Sequence, residues 1–186
     1  MHTRDHSENV AAYAVAIGQA LGLGRDRIMR LLRAPLLHDI GKITVPRYVL
    51  AKPGPLDDEQ FALIKRHPEV GGTMLAHTGL ADEALWIRHH HERIDGAGYP
   101  SGLAGETIPL EARIIFVADS FEAMTSDRPY RPGMSTADAV AELRRCAGTQ
   151  FDPRIVSIVD GLLSRGEMIV LALRDDAGAD MAARSR

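Results

Sequence analysis

Apolar residues in this chain recur at helical spacing almost from end to end, and no stretch shows the strict alternation of a half-buried strand. From Val10, the residues Tyr13, Ala14, Ile17 and Leu21 form one stripe, stopped by Gly22 and Gly24. A second helix is predicted from about Asp26 to Ile40, with Ile28, Leu31, Leu32, Leu36 and Leu37 apolar. Pro35 removes a donor from its ladder, so a kink or a break is expected there, and Gly41 suits its end. The stretch KITVPRYVLAKPGPL reads as a loop, after which Asp57 and Gln60 match a capping box. Pro68 either ends that helix or sits in the first turn of the next. Further helices are predicted from Leu80 to His91, from Pro109 to Thr125, from a Ser135 cap with Asp138 three residues on, and from Asp152-Pro153. The expectation is an all-α fold, a bundle of about seven helices.

A chain of 186 residues suffices for one domain with a substantial core. No apolar run approaches a membrane span, and the first residues lack the pattern of a secretion signal. Cys146 is the one cysteine, so no internal disulfide is possible and a reducing, cytoplasmic compartment is the simplest reading. A net charge of −3 argues against broad nucleic-acid binding. It leaves room for an anionic substrate, because metals and a few basic residues make a local positive site. Residues 175–186 are small and polar, a tail expected to fray beyond a domain spanning 1–174.

Eight histidines stand out. His6, His38 with Asp39, His67, and His90 with His91 fall near the predicted helix ends, His67 at the close of its helix, while Asp119 lies inside the apolar IIFVADSFEAM helix. A carboxylate beside Ile115 and Phe116 points near the core and needs a partner or a metal. Imidazole with carboxylate favours a borderline divalent ion, and the lack of cysteine ligands argues against a structural zinc site. Such a ligand set exceeds one tetrahedral ion but fits a pair, with Asp39 able to bridge. Each residue taken alone reads as a cap, a surface group or a hydrogen-bonded core residue. Of His89, His90 and His91, at most two can readily face one site, and spacing does not say which is the bystander. His2 and His77 read as bystanders, and DGAGYP by itself as a turn.

Together the motifs are more specific. LLHDIGKITVP resembles the signature of the HD superfamily of metal-dependent phosphohydrolases, and with HHERIDGAGYPSGL it is similar to the HD-GYP subfamily. HSENVAAYA, KPGPL, KRHPEVG, ARIIFVADSFEAMTSDRPYR and FDP extend the match from His6 to about Leu163. The resemblance implies a helical phosphodiesterase that opens cyclic di-GMP to linear pGpG, with GMP after a second round. It implies His6, His38, Asp39, His67, His90, His91 and Asp119 as metal ligands, which favours His90 and His91 over His89. Two divalent ions follow, iron or manganese first, with zinc, cobalt or nickel as alternatives. Asp39 and Lys42 take catalytic roles around a metal-bridged hydroxide, and Lys42, Arg128, Arg131 and Tyr99 contact substrate. Glu92 and Asp95 read as bracing groups beside the ligands and in the loop. Some family members hold a third metal with a glutamate one turn before the first histidine, where this chain has His2, and Glu122 stands where many have aspartate. Expected partners are an upstream sensory or receiver domain, a diguanylate cyclase domain, or a second copy in a homodimer. Two alternatives remain: an HD-superfamily hydrolase of another nucleotide or cyclic dinucleotide, and an inactive HD-GYP module that binds signalling domains.

Overall fold

The computed structural model describes residues 2–127 and 132–168. These fold into α-helices with two short 3-10 turns and no β-strand, as the periodicity predicts. The helices are α1 His2–Ala20, α2 Arg25–Leu37, α3 Arg47–Leu50, α4 Asp58–Ile64, α5 His67–Leu75, α6 Ala81–Arg88, α7 Leu110–Thr125, α8 Thr136–Arg145 and α9 Pro153–Ser164.

The α7 helix is central. Ala112, Ile114, Ile115, Val117, Ala118 and Phe121 are all fully buried, so it is apolar nearly all round, as a core helix must be. It packs against α1, whose Val10, Tyr13, Ala14 and Ile17 form the predicted stripe, with the Tyr13 ring edge-on to Phe121 at 5.4 Å. The α2, α6, α8 and α9 helices complete the core through Leu31, Ile87, Leu143 and Ile155. Charged pairs tie α2 to its neighbours. Arg27 bonds Glu111 at 2.7 Å, Arg33 bonds the buried Glu83 at 2.6 Å, and Arg30 pairs with Asp82.

The predicted caps form. Asp57 and Gln60 make a reciprocal capping box, and the Ser135 and Asp152 side chains accept backbone N–H bonds. Three elements differ from the sequence expectation. The α2 helix runs through Pro35 to Leu37 and stops short of Ile40. The predicted loop contains a 3-10 turn, Ile40–Thr44, and the single-turn α3, where the Pro46 carbonyl accepts from Val49 N and the Val49 side chain is buried. The α6 helix ends at Arg88, so His89, His90 and His91 occupy the turn beyond it.

Candidate metal centre

Three helices end by one device. In each, a histidine side chain takes a backbone carbonyl three residues upstream, in the helix's last turn. His38 Nδ1 lies 2.5 Å from Pro35 O, His67 Nδ1 2.7 Å from Ile64 O, and His90 Nδ1 2.6 Å from Ile87 O. These carbonyls close α2, α4 and α6. A carbonyl can only accept, so each Nδ1 carries a hydrogen, and in the neutral ring the lone pair lies on Nε2. The helix is cut and the ring is oriented by the same bond, which is the usual outer support of a metal-ligating imidazole.

The freed lone pairs converge. His67 Nε2 and His38 Nε2 stand 3.4 Å and 3.7 Å from Asp39 Oδ1. Asp119 Oδ1 lies 3.9 Å from His38 Nε2 and 3.3 Å from His6 Nε2. His90 sits between the rings of His38 and His67, each at 5.3 Å, and 4.1 Å from the His91 ring. Three groups have ligand atoms within 4.8 Å of one another: His67 with His90 and His91, His6 with His38 and Asp119, and His38 with Asp39 and His90. All seven ligands named from the resemblance therefore meet in one cage, supplied by α1, the α2 end, the start of α5, the turn after α6, and α7. His67 opens α5 and does not close the preceding helix, a correction to the sequence reading, with Pro68 in the first turn.

The donor set fits a divalent cation. His67 Nε2 and His90 Nε2 are buried without a hydrogen-bond partner, a desolvation cost that a coordinated ion removes. Burial also holds the His67, His90 and His91 imidazoles below their usual range, His91 down to about 4, so all three are neutral and able to ligate at pH 7. The carboxylates move the other way. Burial opposes ionisation of Asp39 and Asp119, yet facing His38 and Lys42 at Asp39, and hydrogen-bonded His6 at Asp119, hold both below the ordinary range. His6 is the exception among the imidazoles: burial opposes its charge, but Asp119 and Glu122 push it up to about 10.

Sequence reasoning gave Glu122 no role. Its Oε2 lies 2.5 Å from His6 Nδ1, and its Oε1 accepts from the Ser126 hydroxyl at 2.7 Å, so it orients His6 as the backbone carbonyls orient the others. The Asp119–Glu122 spacing, one helical turn on α7, was the available signal. Lys42 Nζ donates to Asp39 Oδ2 at 2.6 Å from the 3-10 turn. That turn presses on the start of α5, where a Cβ at Gly41 would collide with the His67 carbonyl oxygen. His89 is buried with its Nδ1 3.4 Å from Glu92 Oε1 and joins none of the three groups, while His77 is exposed. Arg128 and Arg131 lie outside the described residues.

The glycine-rich loop is braced from within. The buried Glu92 accepts from Ser101 N at 2.7 Å and Leu103 N at 3.0 Å, and Asp95 pairs with Arg93 and accepts from Ala97 N. Gly98 passes so close to Glu92 and Arg93 that a Cβ would strike their backbone. This seats Tyr99 with its ring stacked on His91, centroids 4.9 Å apart at 30°, and its N–H on the His91 carbonyl.

A helical core that delivers histidines and aspartates to one buried cage defines an all-α protein built around a metal-type centre. The chain belongs to the HD domain family, whose pattern matches residues 1–155. It is 43% identical over 152 residues to the "Cyclic di-GMP phosphodiesterase response regulator RpfG" of Xanthomonas campestris pv. campestris, covering 80% of this chain and 40% of that relative. It is 39% identical over 143 residues to the "3'3'-cGAMP-specific phosphodiesterase 1" of Vibrio cholerae, covering 76% of this chain and 33% of that relative. A solved structure of Bd1817, an HDG"Y"P protein from Bdellovibrio bacteriovorus, shares the fold at a TM-score of 0.71 and 22% identity, over 87% of this chain and 52% of that one. The chain spans between 34% and 43% of the length of four cyclic di-GMP phosphodiesterases that it resembles. No helix among the described residues is long and apolar enough to cross a membrane.

Proposed function

We propose that this chain is a metal-dependent phosphodiesterase domain that hydrolyses cyclic di-GMP to pGpG, and pGpG onward to GMP. The observation that carries the reading is the cage itself. Seven ligands fall into three overlapping groups, with His38 and His90 each shared between two, which suits a pair of ions better than one. His6, His38, Asp39, His67, His90, His91 and Asp119 would hold two divalent ions, iron or manganese in the first place, given imidazole and carboxylate donors without thiolate. When bound, such ions lower the pKa of a coordinated water and draw charge from the phosphoryl oxygens.

The chain's own residues do the rest. Carbonyls of Pro35, Ile64 and Ile87 and the Glu122 carboxylate fix the ligand rings before substrate arrives, so little reorganisation is needed during reaction. Asp39 sits between His38, His67 and Lys42, where its carboxylate would help hold the ions. Lys42, part exposed beside Asp39, meets an equatorial phosphate oxygen, and Arg128 and Arg131 are assigned to the same task from the sequence alone. Tyr99, stacked on His91, forms the wall over which the nucleotide enters. A cytoplasmic setting, a domain running over residues 1–174 and a diguanylate cyclase domain as partner are assigned from the sequence alone, and the limited share of its relatives that this chain spans supports an attached sensory or receiver domain.

The relatives named for 3'3'-cGAMP favour a second reading, the same chemistry on a mixed cyclic dinucleotide. Both are tested by turnover of the two compounds with added manganese or iron and chromatography of the products. Cyclic di-GMP hydrolysis to pGpG supports the first reading, and selective 3'3'-cGAMP hydrolysis supports the second. Loss of neither by metal-loaded, folded protein leaves a binding module.

A further inference from the structure

We infer that Lys65 is a further substrate-binding residue, contacting the phosphate of a cyclic dinucleotide that is not being cleaved. This rests on the reading of the centre as a cyclic-dinucleotide phosphodiesterase. Lys65 caps the C-terminus of α4, two residues before the candidate ligand His67. Its ammonium lies 4.6 Å from the centroid of Phe61 and 5.7 Å from that of Tyr99. Tyr99 is in turn stacked on the candidate ligand His91. The charge is thus one aromatic ring away from the cage. No carboxylate pairs with it among the described residues, although the half-buried Lys52 and Arg88 and the exposed Arg144 each have one.

Two ring faces attract a cation but do not neutralise it. An exposed, braced ammonium beside a phosphodiester-cleaving centre is therefore arranged to receive an anion. The scissile phosphate belongs to the metal cage and Lys42, which leaves the second phosphate of the ring for a cation on the rim. The exposed Phe61 ring beneath Lys65 adds an apolar face to that rim. A point charge meets phosphate without reading the base, so the contact raises affinity for cyclic dinucleotides as a class.

The test is steady-state hydrolysis by the manganese-loaded protein. Lys65→Gln is expected to raise the KM for cyclic di-GMP about tenfold, the loss of one charge-assisted contact. The KM for 3'3'-cGAMP rises by the same factor, and Lys65→Arg keeps both within about twofold of the parent. If Lys65→Gln keeps the parental KM while the parent turns over cyclic di-GMP, the inference fails alone. If the KM rises for one dinucleotide only, the lysine reads a base and the phosphate assignment is overturned. If the folded, loaded parent cleaves neither dinucleotide, the functional reading fails and takes this inference with it.

Discussion

Replacing Glu92 by alanine tests the idea that the loop after α6 is held from within. Glu92 is 1% exposed, and its two carboxylate oxygens accept from Ser101 N at 2.7 Å and Leu103 N at 3.0 Å. A hydrogen bond to a charged group contributes about 1.5–3 kcal/mol, so the pair sets a ceiling of about 3–6 kcal/mol. Ser101 is exposed and Leu103 half-buried, so water rehydrates part of what the carboxylate leaves, and the expected loss is about 2–4 kcal/mol. For a domain of this size that is a fall in melting temperature of roughly 5–15 °C. Glu92→Gln keeps one acceptor and turns a donor toward the other amide, so about half the loss is expected. Calorimetry of the metal-loaded and chelator-treated protein measures both. The loop also seats Tyr99 on His91, so turnover falls with stability in the alanine variant. A melting temperature within about 2 °C of the parent for Glu92→Ala would show that the loop is held from elsewhere and refute the reasoning.

Three further outcomes follow from the cage. In metal-free protein the His91 imidazole is depressed to about 4, so its contribution is present above the unfolded pKa near 6.5 and is lost as pH falls toward 4. His6, raised to about 10, contributes fully below 6.5 and loses that contribution as pH climbs to 10, so urea unfolding of the stripped protein should show greatest stability between the two flanks. His90→Ala should lose bound manganese while His89→Ala keeps it, read by elemental analysis, since only His90 belongs to the ligand groups; the reverse result would shift the register by one residue. Arg128→Ala should leave metal stoichiometry intact and weaken cyclic di-GMP binding by roughly ten- to a hundredfold in calorimetry.

The sequence by itself determined the class of fold and the chemistry of the site. Helical periodicity has no competing strand pattern here, and caps such as Asp57–Gln60 and Ser135–Asp138 are local events decided within four residues. The supply of histidine and aspartate with a single cysteine limited the candidate ions, because ligand chemistry follows from residue type. Helix termini were less legible. Nothing in the local pattern says that His90 will take the Ile87 carbonyl and end α6 at Arg88, or that His67 will open a helix. Tertiary structure made that decision. Adjacent residues in a turn diverge by large angles, so whether His89 or His90 enters the cage depends on where the helix stops, and that depends on what packs against its end. The same holds for Glu122, which reaches His6 across 116 positions of sequence, and for Tyr99, whose stacking on His91 exists only once Glu92 has folded the loop back. Ligand identity is a property of the residue, whereas ligand orientation is a property of the contacts around it, and those contacts join segments far apart in the chain.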